Sequence, residues 1–235
     1  MTPAPADPWI TRILRLYDKD KPLLEFTVGV TEPLQSRTNP WDWECEFFVS
    51  GFAELPPTRV YGGDGIGAVQ TALNVLGAHL FRVGQTHDIR WFSSRQPGFE
   101  TYRLYEGPDR EPFSKGMDSS PMLGKGFKQS EHSITRELEH FRRDGFIERV
   151  IAAISRPIPL ATNPWLWECK FLVEGFAGIG PMAARGPDGM AAAQAAMSML
   201  DAYLFSLAQR ADIRWLGSRD LGFGTYRAYE RAGPP

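Results

Sequence analysis

Cysteine is scarce in this chain, two among 235 residues, which is too few for a disulfide framework. Histidine is scarce as well. The four, His79, His87, His132 and His140, have no spacing to cysteine or carboxylate that would make a metal site. Excess charge of either sign is missing: the net charge is −2, so the molecule exerts no strong pull on nucleic acid or an anionic membrane. No apolar run is long enough to cross a bilayer. The opening Met-Thr-Pro-Ala-Pro-Ala-Asp-Pro lacks the basic and apolar regions of a secretion signal, so a cytoplasmic location is expected. Catalytic signatures are absent too. There is no serine nucleophile elbow, and neither cysteine has a histidine companion in its own part of the chain.

What the chain does have is a repeat. Asn39-Pro-Trp-Asp-Trp-Glu-Cys-Glu-Phe-Phe-Val49 returns as Asn163-Pro-Trp-Leu-Trp-Glu-Cys-Lys-Phe-Leu-Val173, an offset of 124 positions. The offset holds without a gap to Tyr102-Arg-Leu-Tyr-Glu106 and Tyr226-Arg-Ala-Tyr-Glu230, and roughly half of the aligned positions are identical. The chain is therefore a tandem duplication: a first unit over 1–108, a linker rich in Gly, Ser, Pro and charge over 109–131, and a second unit over 132–235. Each unit is about 100 residues long, a size that can bury a core.

The repeated stretch reads as a strand. Trp41, Trp43, Cys45, Phe47 and Val49 alternate onto one apolar face, while the other face varies between copies, the pattern of a half-buried antiparallel strand. Phe48, Leu166 and Leu172 fall on that second face, which is expected to be open. The cysteines share one core position, and buried reduced thiols are expected.

Before this strand, residues 10–17 and 24–31 read as a hairpin around the polar turn 18–22. After it, Pro56-Pro57 is expected to break the chain before a short strand at 58–61. Asp64, like Asp188, is placed to cap a helix whose apolar stripe runs through Val69, Leu73, Leu76, Leu80 and Val83. The second helix is rich in small residues, so it is expected to pack against more than its own sheet. Residues 137–143 alone would read as helix, but alignment with 13–19 argues for strand. The expected class is α+β: two units, each a mostly antiparallel sheet of about four to six strands packed on one main helix. A pseudo-two-fold axis would pair them, so the chain imitates a homodimer and can remain a monomer.

The glycine cluster around Asp64 opens a helix, where a phosphate could bind. It lacks the P-loop Lys and Ser/Thr, however, and Asp64 stands where the anion would go, so capping explains it better. The polar residues identical in both copies are Glu44, Asp88, Arg90, Arg95, Arg103 and Glu106, with Glu168, Asp212, Arg214, Arg219, Arg227 and Glu230. Ion pairs are their first explanation. Arginines interleaved with aromatics also suit a binding surface, which gives a candidate set of Glu44, Arg90, Trp91, Arg103, Glu168, Arg214, Trp215 and Arg227.

An opening Ile-x-Arg-x-Leu strand, a Trp-x-Cys-x-Phe-x-Val-x-Gly strand and a Gly-x-Asp-Gly helix start together resemble a small bacterial domain family of unknown function, matched over 10–106 and 134–230. The helix starts as Gly63-Asp-Gly-Ile-Gly-Ala-Val-Gln70, where members of that family read Gly-x-Asp-Ser-Leu-Gln-Ala-Leu. The resemblance implies a fold and no activity. With no cofactor or metal expected, the leading expectation is a non-catalytic protein-binding module, an immunity or regulatory protein whose partner is another protein. The alternatives are an enzyme using Glu44 or Glu168 with a repeated arginine in a cleft between the units, or a single-stranded nucleic-acid binder using Arg90, Trp91, Arg103 and Tyr105.

Overall fold

The structure, a computed structural model, describes residues 8–52, 55–92, 94, 133–175 and 179–222. The linker at 109–131 and the final extended segments at 101–106 and 225–230 lie outside the described residues. The first unit comprises β1 (Pro8–Asp18), β2 (Lys21–Thr31), β3 (Leu34–Gln35), β4 (Trp43–Ser50), β5 (Leu55–Gly62), α1 (Gly65–Gly84) and β6 (Asp88–Arg90). The second repeats the series as β7 (Ser133–Phe141), β8 (Ile147–Ser155), β9 (Ile158–Leu160), β10 (Asn163–Glu174), β11 (Ile179–Gly186), α2 (Gly189–Ala208) and β12 (Asp212–Arg214). Each unit is a six-stranded antiparallel sheet with one helix, as expected.

In the first sheet β6 pairs with β1, β1 with β2, and β2 with β4; β3 and β5 also pair with β4. The β1–β2 hairpin closes through Lys19 and Asp20, both at positive φ (46° and 66°), the backbone that a two-residue turn matched to strand twist requires. Residues 133–141 form a strand. Ile134, Arg136, Leu138 and His140 are buried in alternation, so the period of two prevails over local helix propensity.

Three expectations need correction. Pro56 and Pro57 do not break the chain, because β5 runs through them. They sit at an irregularity between the Val49–Leu55 and Phe47–Thr58 pairs, where a missing backbone N–H is tolerated. Trp41 and Trp165 leave the apolar face and stand 83% and 84% exposed. Trp41 precedes β4 in a turn, and a register shift between Asn163 and Trp167 interrupts the alternation in β10. The second face of β4 is not open at Phe48, nor that of β10 at Leu172, since both side chains are buried. Phe48 lies opposite Gly29, and Leu172 lies opposite Ala153. A methyl group on Gly29 would sit 2.6 Å from Phe48 Cζ, so the large ring is accommodated by an absent side chain. The second unit solves the same pair with a smaller partner and one more carbon.

Both helices pack on their own sheet and also on the first strand of the other unit, α1 on β7 and α2 on β1. Among the small residues of α2, Ala192, Ala193 and Ala196 are fully buried, in keeping with that double contact. As a result, the buried apolar side chains form one cluster that runs through both units. Cys45 and Cys169 are buried and unbridged within it.

Candidate functional site

Two buried arginines tie the units together. Arg12 lies on the core face of β1 between Ile10 and Leu14, and Arg136 occupies the equivalent place on β7; they are 1% and 0% exposed. An arginine in that position needs an acid, and each finds it on the other unit. Arg136 donates from Nε to Asp64 Oδ2 (2.6 Å) and from Nη2 to Asp64 Oδ1 (3.1 Å). Reciprocally, Arg12 donates to Asp188 at 2.8 and 3.2 Å. Each aspartate also caps its helix, Asp64 accepting from Gly67 N (2.6 Å) and Asp188 from Ala191 N (2.7 Å). The guanidinium of Arg12 stacks on Trp91 at 3.9 Å, and that of Arg136 on Trp215 at 4.3 Å. Residue i meets j of the other unit, and the copy of i meets the copy of j, so the pairing is isologous and the expected pseudo-two-fold axis is present.

This arrangement fills the helix start that could otherwise receive a phosphate. The cap carboxylate and the other unit's arginine occupy it. Gly62, which ends β5, also packs so closely on the first turn that a Cβ there would lie 2.2 Å from Ala68 N. Neither Arg12 nor Arg136 belongs to the candidate set read from sequence. The signal was in the chain: an arginine interrupting the buried alternation Ile10, Arg12, Leu14, Leu16, repeated at Arg136.

The sequence candidates separate into pairs within each unit. Glu44 meets Arg59 (3.4 Å), and Glu168 meets Arg185 (3.5 Å), each across one strand pair. The acid is kept while its arginine moves along the neighbouring strand. Hydrogen bonding by Glu46 and then the charge of Glu44 raise the Arg59 pKa. Arg90 is held by Asp88 (2.5 Å) and by Asp20, lies over the Tyr17 ring, and has its pKa raised chiefly by the bond to Asp88. Arg214 is held by Asp212 (2.7 Å) and lies over Phe141. The bond from Arg214 holds the Asp212 carboxyl below its ordinary range. Trp91 and Trp215 serve as platforms for Arg12 and Arg136. Arg103 and Arg227 lie outside the described residues. Among the described residues, the structure therefore does not gather the candidates into one cleft between the units.

A different pair of residues is brought to the surface. Asn39 Oδ1 accepts from Trp41 N (3.2 Å), and Asn163 Oδ1 accepts from Trp165 N (3.1 Å), so each exposed tryptophan rides on the same side-chain-closed turn. Close by in register, Leu34, Glu44 and Tyr61 lie abreast across β3, β4 and β5, with Leu34 and Tyr61 exposed. In the second unit Ile158, Glu168 and Arg185 take these places, and Ile158 is exposed. Among the described residues no group of His, Cys, Asp and Glu could hold a metal ion, and no helix is long and apolar enough to cross a membrane.

No curated protein and no solved structure matches the chain. A family model described as "Domain of unknown function (DUF6968)" matches twice, over residues 10–101 and 134–225, which takes in both sheets, both helices and both halves of the reciprocal arginine–aspartate clamp. The chain accordingly belongs to this family, of which it carries two tandem copies.

Proposed function

We propose that this chain is a protein-binding module that engages its partner through Trp41 and Trp165, one per unit. The observation that carries this reading is that both copies keep a tryptophan on a built turn, more than four-fifths exposed, where the core makes no use of it. A rigid, amphipathic side chain of this size is what binding hot spots are made of. Exposed Leu34 and Tyr61 extend the apolar surface in one unit, and Ile158 does so in the other. The isologous pairing of the units makes the two surfaces equivalent, which suits a partner that itself presents two equivalent sites. An immunity or regulatory protein that sequesters another protein would work in this way.

The test is cross-linking and affinity purification from the native host with the wild type and a Trp41→Ala/Trp165→Ala variant whose melting temperature is unchanged. The proposal expects one stoichiometric partner with the wild type, cross-linked at β3–β5 or β9–β11 and lost from the double variant. A partner retained by the double variant, or none with the wild type, refutes it.

A further inference from the structure

The two tryptophan-bearing surfaces are equivalent in position but differ in charge. In the first unit Glu44 and Glu46 lie on the face of β4 opposite the buried Cys45 and Phe47, abreast of Tyr61 and Arg59 on β5. Arg59 serves both carboxylates, at 3.4 and 3.3 Å. Asp42, just before β4, adds a third acid, which accepts from the neutral Asn39 Nδ2 (2.7 Å). Three carboxylates therefore stand against one arginine beside Trp41. In the second unit Leu166 takes the place of Asp42, and Lys170 that of Glu46. Glu168 keeps a one-to-one pair with Arg185 (3.5 Å). One carboxylate therefore stands against an arginine and a lysine beside Trp165. The first surface is acidic and the second basic, with the sign reversed at one equivalent position, Glu46 and Lys170. Apolar anchors accompany both, Leu34 and Tyr61 with Trp41 and Ile158 with Trp165, all of them exposed. Because both tryptophans stand in solvent, neither surface covers the other within one chain.

We infer that the Trp41 surface of one chain docks on the Trp165 surface of a second copy of this chain, head to tail. An acidic and a basic surface attract, whereas two copies of either one repel, so charge selects the unlike pairing. The exposed aromatic and aliphatic side chains on each surface supply the area to be desolvated. Such a contact is heterologous. Each dimer still presents one surface of each kind at its ends, so association proceeds past the dimer unless a ring closes. The inference rests on the reading of Trp41 and Trp165 as contact residues, and it makes self-association the state that a partner protein must displace.

The experiment is sedimentation velocity of the purified full chain from about 5 to 500 µM, a range that reaches weak protein–protein affinities. The weight-average mass should rise with concentration. Trp41→Ala and Trp165→Ala each truncate a side chain more than four-fifths exposed, so each should keep the wild-type melting temperature, and each alone should stay monomeric. Mixed in equal amounts they should form a dimer and nothing larger, because one variant keeps only the basic surface intact and the other only the acidic one. Glu46→Lys and Lys170→Glu should each weaken association about tenfold. The double variant Glu46→Lys/Lys170→Glu should regain it, since the two signs are then exchanged rather than lost. A chain that is monomeric throughout, single tryptophan variants that associate like the wild type, a mixture that stays monomeric, or a double charge variant no better than the single ones overturns the inference. Capture of a partner from the host is read separately, so a monomeric chain leaves that reading standing and a missing partner leaves this one.

Discussion

Gly29→Ala is the smallest change that interrogates the packing logic of this duplicated fold. The added methyl would sit 2.6 and 2.7 Å from Cζ and Cε1 of Phe48 and 3.0 Å from Ile10 O. Carbon–carbon contacts are favourable at about 3.5–4.0 Å, so the ring would have to retreat by roughly 1 Å. Phe48 is 1% exposed and has little room to do so. Overpacking of this kind costs about 1–3 kcal/mol. Phe48→Leu alone removes ring carbons and leaves a gap beside Gly29, which costs about 1–2 kcal/mol. The double variant reproduces the pair already buried in the second unit, Ala153 opposite Leu172. It should be no less stable than Phe48→Leu alone, giving a favourable coupling at least as large as the Gly29→Ala cost, about 1–3 kcal/mol. Urea denaturation of the four proteins, with an unchanged m value, measures the cycle directly. Energies additive to within about 0.5 kcal/mol would refute the reasoning, since the two sites would then not share a volume.

The remaining predictions concern the interface and the thiols. Arg136→Ala leaves Asp64 in the interface without its arginine and should cost about 3–5 kcal/mol, whereas Arg149→Ala, which removes only an exposed ion pair with Glu137 across β7 and β8, should cost far less; thermal and urea unfolding of both variants checks the contrast. Burial pushes the Cys45 thiol up to about 12 and the Cys169 thiol up as well, so neither should react with iodoacetamide at pH 8 in the folded chain, and both should react in urea. Because the folded pKa of Cys45 is raised, its contribution to stability is full below about pH 9 and is lost as pH climbs towards 12. A Cys45→Ala variant should show a shallower loss of stability across that alkaline range, as read from urea midpoints.

The repeat, the strand-helix order and the two capping aspartates were legible in the amino-acid sequence because they depend on local rules. Alternation marks a strand, a 3.6-residue stripe marks a helix, and a carboxylate before the first turn marks a cap. Comparison of the copies even recovered β7 against its helical local propensity. Register and partnership depend instead on what lies across the sheet or on the other unit. That is why alternation alone places Trp41 on the core face while it stands in solvent, and places Phe48 on an open face while it is buried over Gly29. The repeated pattern of Glu44, Arg90 and Arg214 suits a binding surface, yet each is paired within its own unit. The sequence by itself determined two copies of one α+β unit. Only the tertiary structure decided that they share a core, because each buried arginine satisfies its charge on the helix cap of the other copy, an acid more than 70 residues away along the chain.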